Sequence, residues 1–255
     1  MSDFNSKNKI VQANELVQKT NWEMNETALK LFKLCVSCID VNEPPIDETI
    51  TLTKKEIYDF LGFSASTNYT YVKQQMESLQ KQVIKIETET SFFSITLMPC
   101  VEWKKENDNV KCTFSKQLMP YLIELNKHFL QYDIMNLKQI KSKYGLIIYE
   151  YLLSKHREVN KNSNYQYTYR MSVNKLRWIT GTKDKYKRLQ HLEEKVIKSA
   201  IRDINHANLE FLIDYEKIKI GRSVEHIDFK IRKRTSCLEN EYDQIANKKY
   251  LKQKI

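Results

Sequence analysis

Apolar positions along the chain repeat themselves: Leu52, Ile57, Phe60 and Gly62 return 119 residues later as Met171, Leu176, Ile179 and Gly181. Each set leads into a Tyr-containing helix and a β-hairpin, which predicts one small fold used twice. In the first copy Asn25 caps a helix whose apolar positions Ala28, Leu31, Phe32, Cys35 and Ile39 follow the 3.6-residue period, and Pro44-Pro45 stops the segment. A short strand, Ile50 to Leu52, precedes a helix capped by Thr53 and ended by Gly62. A second helix from about Thr67 to Gln82 turns Val72, Met76 and Leu79 inward. Alternation over Val83 to Thr88 and over Phe92 to Val101 predicts two strands joined by a tight turn, with a third over Val110 to Phe114.

The second copy follows the same order. Leu137, Ile140, Tyr144, Ile147, Ile148, Tyr151 and Leu152 form one apolar face of a long helix, and Asn160 to Asn164 is a polar loop. Tyr165 to Met171 alternates as a strand, Ser172 caps a short helix and Gly181 closes it. A long helix from about Asp184 to His206 buries Leu189, Leu192, Val196, Ala200 and Ile204. Leu209 to Tyr215 and Val224 to Ile231 make a hairpin with Lys217 to Arg222 as its tip. Helix, strand, helix, helix and hairpin is the winged-helix order, so the predicted class is α+β, with tandem winged-helix domains related by internal duplication. The expected division is residues 1–131, residues 132–234 and a polar tail over 235–255.

Charge separates the copies. Residues 1–131 carry 15 Lys and Arg against 17 Asp and Glu, net −2, and residues 132–255 carry 27 against 15, net +12. All eight Arg (157, 170, 177, 188, 202, 222, 232 and 234) fall in the second part. A net charge of +10 favours a polyanionic partner, and its concentration in one half points to a nucleic-acid binder whose halves do different jobs. The polar start and the lack of an apolar run long enough to span a bilayer predict a cytoplasmic protein with no membrane partner. Five Cys (35, 38, 100, 112 and 237) at irregular spacing fit reduced thiols.

Several segments together resemble plasmid replication initiator proteins of the Rep_3 (RepB-like, iteron-binding) family. They are Asn8 to Leu16, Leu137 to Leu152 and the run from Val196 to Ile231, in which Ala200, Ile204-Asn205, Ile218 to Arg222 and Ile227 to Ile231 are the most specific part. The resemblance covers about residues 8–232. Gly145 departs from it, standing where such proteins usually have Ser, and Ile148 stands in place of a common Arg. What the resemblance implies is an initiator that binds directly repeated origin sites in double-stranded DNA as a monomer and represses its own promoter as a dimer. It also implies recruitment of host replication proteins, the host initiator and helicase. The N-terminal winged helix would form the dimer interface in one state and contact DNA in the other.

In a winged helix the second helix of the helix-turn-helix pair enters the major groove with its N-terminal turns leading. Those turns supply Lys185, Lys187, Arg188 and His191, with Glu194, Lys195 and Lys198 further along the stripe. Arg188 is the expected base reader, because a guanidinium donates two parallel hydrogen bonds to guanine O6 and N7. Lys185 and Lys187 suit phosphates. A solvated helix face is the plainer reading of such a stripe, and its place straight after the Gly181 turn is what favours DNA. At the hairpin tip Lys217, Lys219 and Arg222 flank Gly221 and can follow the backbone or enter a minor groove, the plainer reading being charged ends that protect an edge. The first copy offers Lys73, Gln74, Glu77 and Lys81 on its matching helix and Glu87-Thr88-Glu89 at its hairpin, a composition better suited to protein contact. Tyr165, Tyr167 and Tyr169 alternate on one strand face and read as packing.

Catalysis is not expected. The five His (128, 156, 191, 206 and 226) are never closer than fifteen residues, so the metal site of a DNA-cutting rolling-circle initiator is missing, and no Gly-rich phosphate loop exists. Cys35 and Cys38 have metal-pair spacing but fall in an apolar helix, where thiols act as small hydrophobes; Cys100 and Cys112 would be needed to complete a four-thiolate site. No cofactor or metal is expected. A winged-helix transcriptional repressor without an initiator role is the alternative, and a basic scaffold without sequence preference is a third.

Overall fold

In a computed structural model the protein is described over residues 2–87, 90–103, 106–125, 128–159, 166–207 and 209–234. The N-terminal half opens with strand β1, Lys9–Ala13, and helices α1, Asn14–Lys19, and α2, Glu26–Ser37. The Asn25 side chain accepts the Ala28 N–H at 2.9 Å, so α2 starts at the expected cap. β2, Thr49–Thr53, leads into α3, Lys54–Leu61, through a reciprocal pair. There the Glu56 N–H donates to Thr53 Oγ1 while the Thr53 N–H donates to the Glu56 carboxylate. Gly62 closes α3 at φ 70°, and α4 runs over Ala65–Gln80 with Val72, Met76 and Leu79 fully buried. β3, Val83–Glu87, and β4, Phe92–Thr96, then pair with each other, and β5, Cys100–Trp103, and β6, Asn109–Thr113, pair separately.

After α5, Pro120–Ile123, and β7, Phe129–Asp133, come α6, Ile134–Gln139, and α7, Lys143–Val159. The second copy follows with β8, Gln166–Ser172, and α8, Val173–Ile179, which Ser172 caps by accepting the Lys175 N–H. α9, Leu189–Leu192, runs through a π-type segment, Glu193–Lys198, into α10, Ser199–His206. The hairpin of β9, Phe211–Ile220, and β10, Ser223–Lys233, ends the described chain.

The two copies share one sheet topology, β2-β6-β5 and β8-β10-β9, with the return strand in the middle. That equivalence corrects the expected layout of the first copy. Its wing is β5–β6, and β3–β4 is an extra hairpin inserted before it. The single strand expected over Phe92 to Val101 is two strands. Leu97 and Met98 turn into the core, and Pro99 has no N–H to continue the β4 ladder. Glu87 therefore ends β3 of the inserted hairpin, and Thr88 and Glu89 of the acidic stretch lie outside the described residues.

The long helix expected over 137–152 is also broken. Ile140 takes an extended conformation at ψ 126°, and α7 starts afresh. The Asp203 carboxylate, from α10, accepts the Lys141 and Ser142 N–H groups at 2.9 and 2.7 Å, and Ser142 Oγ accepts the Gly145 N–H. A Cβ on Gly145 would lie 2.7 Å from Asp203 Oδ2, 2.8 Å from Ile140 Cγ2 and 2.9 Å from Ser142 Oγ, so a side chain there requires these cap side chains to shift. Leu137 and Ile140 stay fully buried across the break, which is why the apolar period runs through it unmarked.

One apolar cluster joins both halves. β1 pairs with β7 over Lys9–Ala13 and Phe129–Asp133, so residues 131 and 132, where the sequence divides, lie inside one strand. Beneath this pair sits a buried polar network. Lys33 Nζ from α2 lies 2.9 Å from Glu150 Oε1 of α7, and the same oxygen accepts from Gln12 Nε2 of β1 and from the Tyr132 hydroxyl of β7. Lys33 also donates to Gln12 Oε1 at 2.8 Å and faces the Trp22 ring. Both charged side chains are about 1% exposed. Burial pushes the Lys33 ammonium below its ordinary pKa, and Glu150 opposes that shift.

Removing one partner should strand a buried charge. Glu150→Leu is expected to destabilise the fold by about 3 to 5 kcal/mol, and adding Lys33→Met should restore much of the loss. Urea unfolding of both variants checks this; equal loss in the single and double variants would contradict it.

Candidate nucleic-acid interface

The helix-turn-helix of the second copy begins at Ser172 and turns at Gly181, where φ is 62° and a Cβ would lie 2.6 Å from the Trp22 carbonyl oxygen. The second helix starts at Leu189, five residues later than the sequence implies. Lys185 and Lys187 thus stand in the turn rather than on the helix, and Arg188, at φ −72° and ψ 132°, is the N-cap residue. The cause is Arg177. Its guanidinium donates to the carbonyls of Thr182, Lys185, Tyr186 and Lys187 at 3.2, 2.8, 2.8 and 3.2 Å. A planar fork with five donors can hold four carbonyls in one loop. Tyr186, at the left-handed φ of 51°, is locked in this loop, and its ring meets Tyr144 edge-on at 6.4 Å. The result is an ordered knuckle that exposes Lys185, Lys187 and Arg188 together.

His191 and Lys195 are exposed further along the helix, whereas Lys198 is engaged with Glu194 at 2.5 Å. Glu193 ties the helix to the wing, accepting the Tyr215 hydroxyl at 2.6 Å and Lys217 Nζ at 2.9 Å. Burial works against its charge, yet those hydrogen bonds hold the Glu193 carboxyl below its ordinary pKa. Lys217 is therefore turned toward the helix rather than standing free at a tip.

The wing is longer and narrower than the sequence implies. β9 continues through Ile218, Lys219 and Ile220, so the tip is Gly221-Arg222 alone, with Gly221 at φ 61°. Lys219, Ile220 and Arg222 are all exposed there, and Ile220 is 61% accessible. At the base, Arg170 of β8 grips Asp228 of β10 through two hydrogen bonds of 2.7 and 2.8 Å, and the Arg170 hydrogen bond holds the Asp228 carboxyl low.

Lys73 is not brought to this surface's helix or wing; it lies on α4 of the first copy, 3.5 Å from Glu77. Tyr167 and Tyr169 pack, the first donating to the Leu152 carbonyl, the second sharing a hydroxyl contact with Tyr151; Tyr165 lies outside the described residues. So do the 160–164 loop and the 235–255 tail with Cys237. Among the described residues no group of three or more His, Cys, Asp or Glu is placed to hold a metal, and no helix is long and apolar enough to cross a membrane. Cys35, Cys38 and Cys112 are buried, and Cys100 is exposed. A hydrogen bond with Cys112 and burial push the Cys35 thiol up, and burial does the same to Cys38. Sequence reasoning missed Arg177 and Glu193, whose partners are carbonyls and side chains that no periodicity marks.

Replacing Arg177 by Gln should cost about 1.5 to 3 kcal/mol, the range for a hydrogen bond to a charged group. Amide exchange should rise over residues 182–188 before it rises in β8–β10–β9. Unchanged protection of that turn would remove Arg177 from its organising role.

The comparisons with known proteins agree with this architecture. The family described as "Initiator Replication protein, WH1" matches residues 9–153, and "Initiator Rep protein, WH2" matches residues 172–231. A "Replication initiation protein" of Escherichia coli is 22% identical over 230 residues, covering 87% of this chain and 69% of that protein. The crystal structure of the Pi initiator protein in complex with iteron DNA superposes with a TM-score of 0.73 at 15% identity, over 91% of this chain and all of that one. With family matches across both winged helices and a solved neighbour of the same two-domain fold, the chain belongs to the replication initiator protein family built from WH1 and WH2 domains.

Proposed function

We propose that this protein starts plasmid replication by binding directly repeated origin sequences, iterons, in double-stranded DNA. The observation that carries the reading is the exposed cationic knuckle and wing on a fold shared with the Pi initiator, whose structure holds iteron DNA. Arg188, at the head of the reading helix, pairs with guanine in the major groove; Lys185, Lys187, His191 and Lys195 neutralise flanking phosphates. The wing lays Lys219 and Arg222 along the backbone, and Ile220 at its tip has the apolar character of side chains that enter a minor groove. Lys198 and Lys217 contribute charge while paired with Glu194 and Glu193, and Lys73 makes an auxiliary contact from the first copy.

In this reading residues 132–234 are the main DNA reader and residues 1–131 govern assembly. The inserted hairpin supports that role. β4 has β3 on one side and no partner strand on the other among the described residues, and Phe92 and Phe93 are 59% and 45% accessible. A second copy pairing there gives a dimer that represses the gene, in equilibrium with a monomer that binds iterons and recruits the host initiator and helicase. The protein works by binding, without a cofactor or a catalytic step.

Footprinting on DNA flanking the gene should reveal regularly spaced direct repeats. A lone inverted repeat at the promoter would favour a repressor instead. On the repeat, Arg188→Ala should cost about 1 to 3 kcal/mol and relax preference at one base pair. Arg222→Ala should weaken specific and random DNA alike and flatten the salt slope by about one unit. Equal losses on both DNAs for both variants would remove Arg188 as a base reader.

Phe92→Glu, at an exposed position, should shift the full chain toward monomer in sedimentation while preserving binding to a single repeat. An unchanged dimer would move the interface elsewhere, and a wild-type chain monomeric at every concentration would end the switch.

A further inference from the structure

In the first copy a cavity of about 350 Å³ opens between α3, α4 and the loop of the β5–β6 wing, lined by the rings of Tyr58, Phe63 and Tyr69 and by Asp59 and Asp108. Tyr58 is 4% exposed, and its hydroxyl is buried without a hydrogen-bond partner. Burial, Tyr69 and the Asp108 carboxylate push that hydroxyl above its ordinary pKa, which sets it on the side of Tyr58 that faces the cavity. A buried hydroxyl left unpaired is costly, and a ligand group that pairs with it removes the cost. Neither the Asp59 nor the Asp108 carboxylate has an ion pair or hydrogen bond among the described residues. Of the two lysines that also line the cavity, Lys54 is drawn to the wing, where its Nζ donates to the Asn107 carbonyl at 2.7 Å, and Lys55 is exposed.

The internal repeat indicates which group is missing. Tyr58 stands 119 residues before Arg177, in the register that relates Leu52 to Met171 and Gly62 to Gly181. In the second copy the Arg177 guanidinium fills the helix-turn-helix turn and donates to four of its carbonyls. Residues 1–131 contain no Arg, and at the matching place the first copy has a phenol beside an open cavity.

We propose that this cavity takes one arginine side chain from a partner protein. The guanidinium lies against the rings of Phe63 and Tyr69, donates to the Tyr58 hydroxyl and pairs with the carboxylates of Asp59 and Asp108. A planar fork can serve several acceptors while one face rests on a ring, which an ammonium cannot do, so arginine is favoured over lysine. The same two carboxylates repel a phosphate. The site is thus a protein contact and goes beyond the DNA reading proposed above.

The probe is N-acetyl-argininamide, titrated into the full chain by calorimetry. Its dissociation constant should be on the order of 1 mM, with N-acetyl-lysinamide about fivefold weaker. Tyr58→Phe should weaken the arginine probe about tenfold, as loss of one hydrogen bond to a charged group requires, while the thermal midpoint stays level or rises because the hydroxyl has no partner in the free chain. Asp108→Asn, at an exposed position, should weaken the probe by a similar factor. A lower midpoint for Tyr58→Phe with unchanged probe binding would make Tyr58 a structural residue and overturn the site. Equal affinity for the two amides, or displacement of the probe by thymidine monophosphate, would overturn it as an arginine site. Loss of duplex binding in step with loss of the probe in Tyr58→Phe would assign the cavity to DNA and overturn it as a protein contact. A wild-type chain that binds no duplex yet keeps the probe would end the DNA-binding reading and support this site.

Discussion

A single buried oxygen, Glu150 Oε1, organises the joint on which both winged helices depend. It accepts from Lys33 of α2, Gln12 of β1 and Tyr132 of β7, while Glu150 itself belongs to α7. A carboxylate and an ammonium taken out of water are costly, and only mutual pairing with every remaining site satisfied makes them tolerable. Four elements must therefore converge in one arrangement. Small displacements would leave a charge unpaired, so the network specifies geometry more than it adds stability.

The consequence reaches the candidate DNA-reading surface along α7. Lys143 and Glu150 are two helical turns apart on this helix, one beside the knuckle and the other in the joint. A second contact line runs beside it, with the Trp178 indole donating to the Lys19 carbonyl and the Trp22 N–H to the Ile179 carbonyl. The N-terminal half thus braces the helix-turn-helix of the C-terminal half directly. The proposed roles of the inserted hairpin in assembly and of the knuckle in DNA reading would be coupled by this brace.

Divergence between the copies is physical as well as electrostatic. Both retain the capped first helix, the left-handed glycine and the three-stranded sheet. The first adds β3–β4, with exposed Phe92 and Phe93, where the second has no strand between α10 and β9 among the described residues. The second adds Arg177 and Glu193, which fix the turn and the wing relative to the reading helix. Apolar edge and cationic knuckle are separate additions to one scaffold.

The sequence by itself determined the duplicated winged-helix plan, because caps, glycine stops and apolar periods are local and appear in register at Thr53 and Ser172, Gly62 and Gly181. It also placed the cationic half, since charge is read residue by residue. Only the tertiary structure decided where helices break and which hairpin is the wing. The break at Ile140 is made by Asp203, more than sixty residues away, and the late start at Leu189 by a guanidinium reaching four carbonyls. The pairing of β5 with β6 rather than with β3 depends on Leu97 and Met98 finding the core. Each of these is a long-range interaction that leaves the local hydrophobic pattern unchanged, and for that reason none was legible in it.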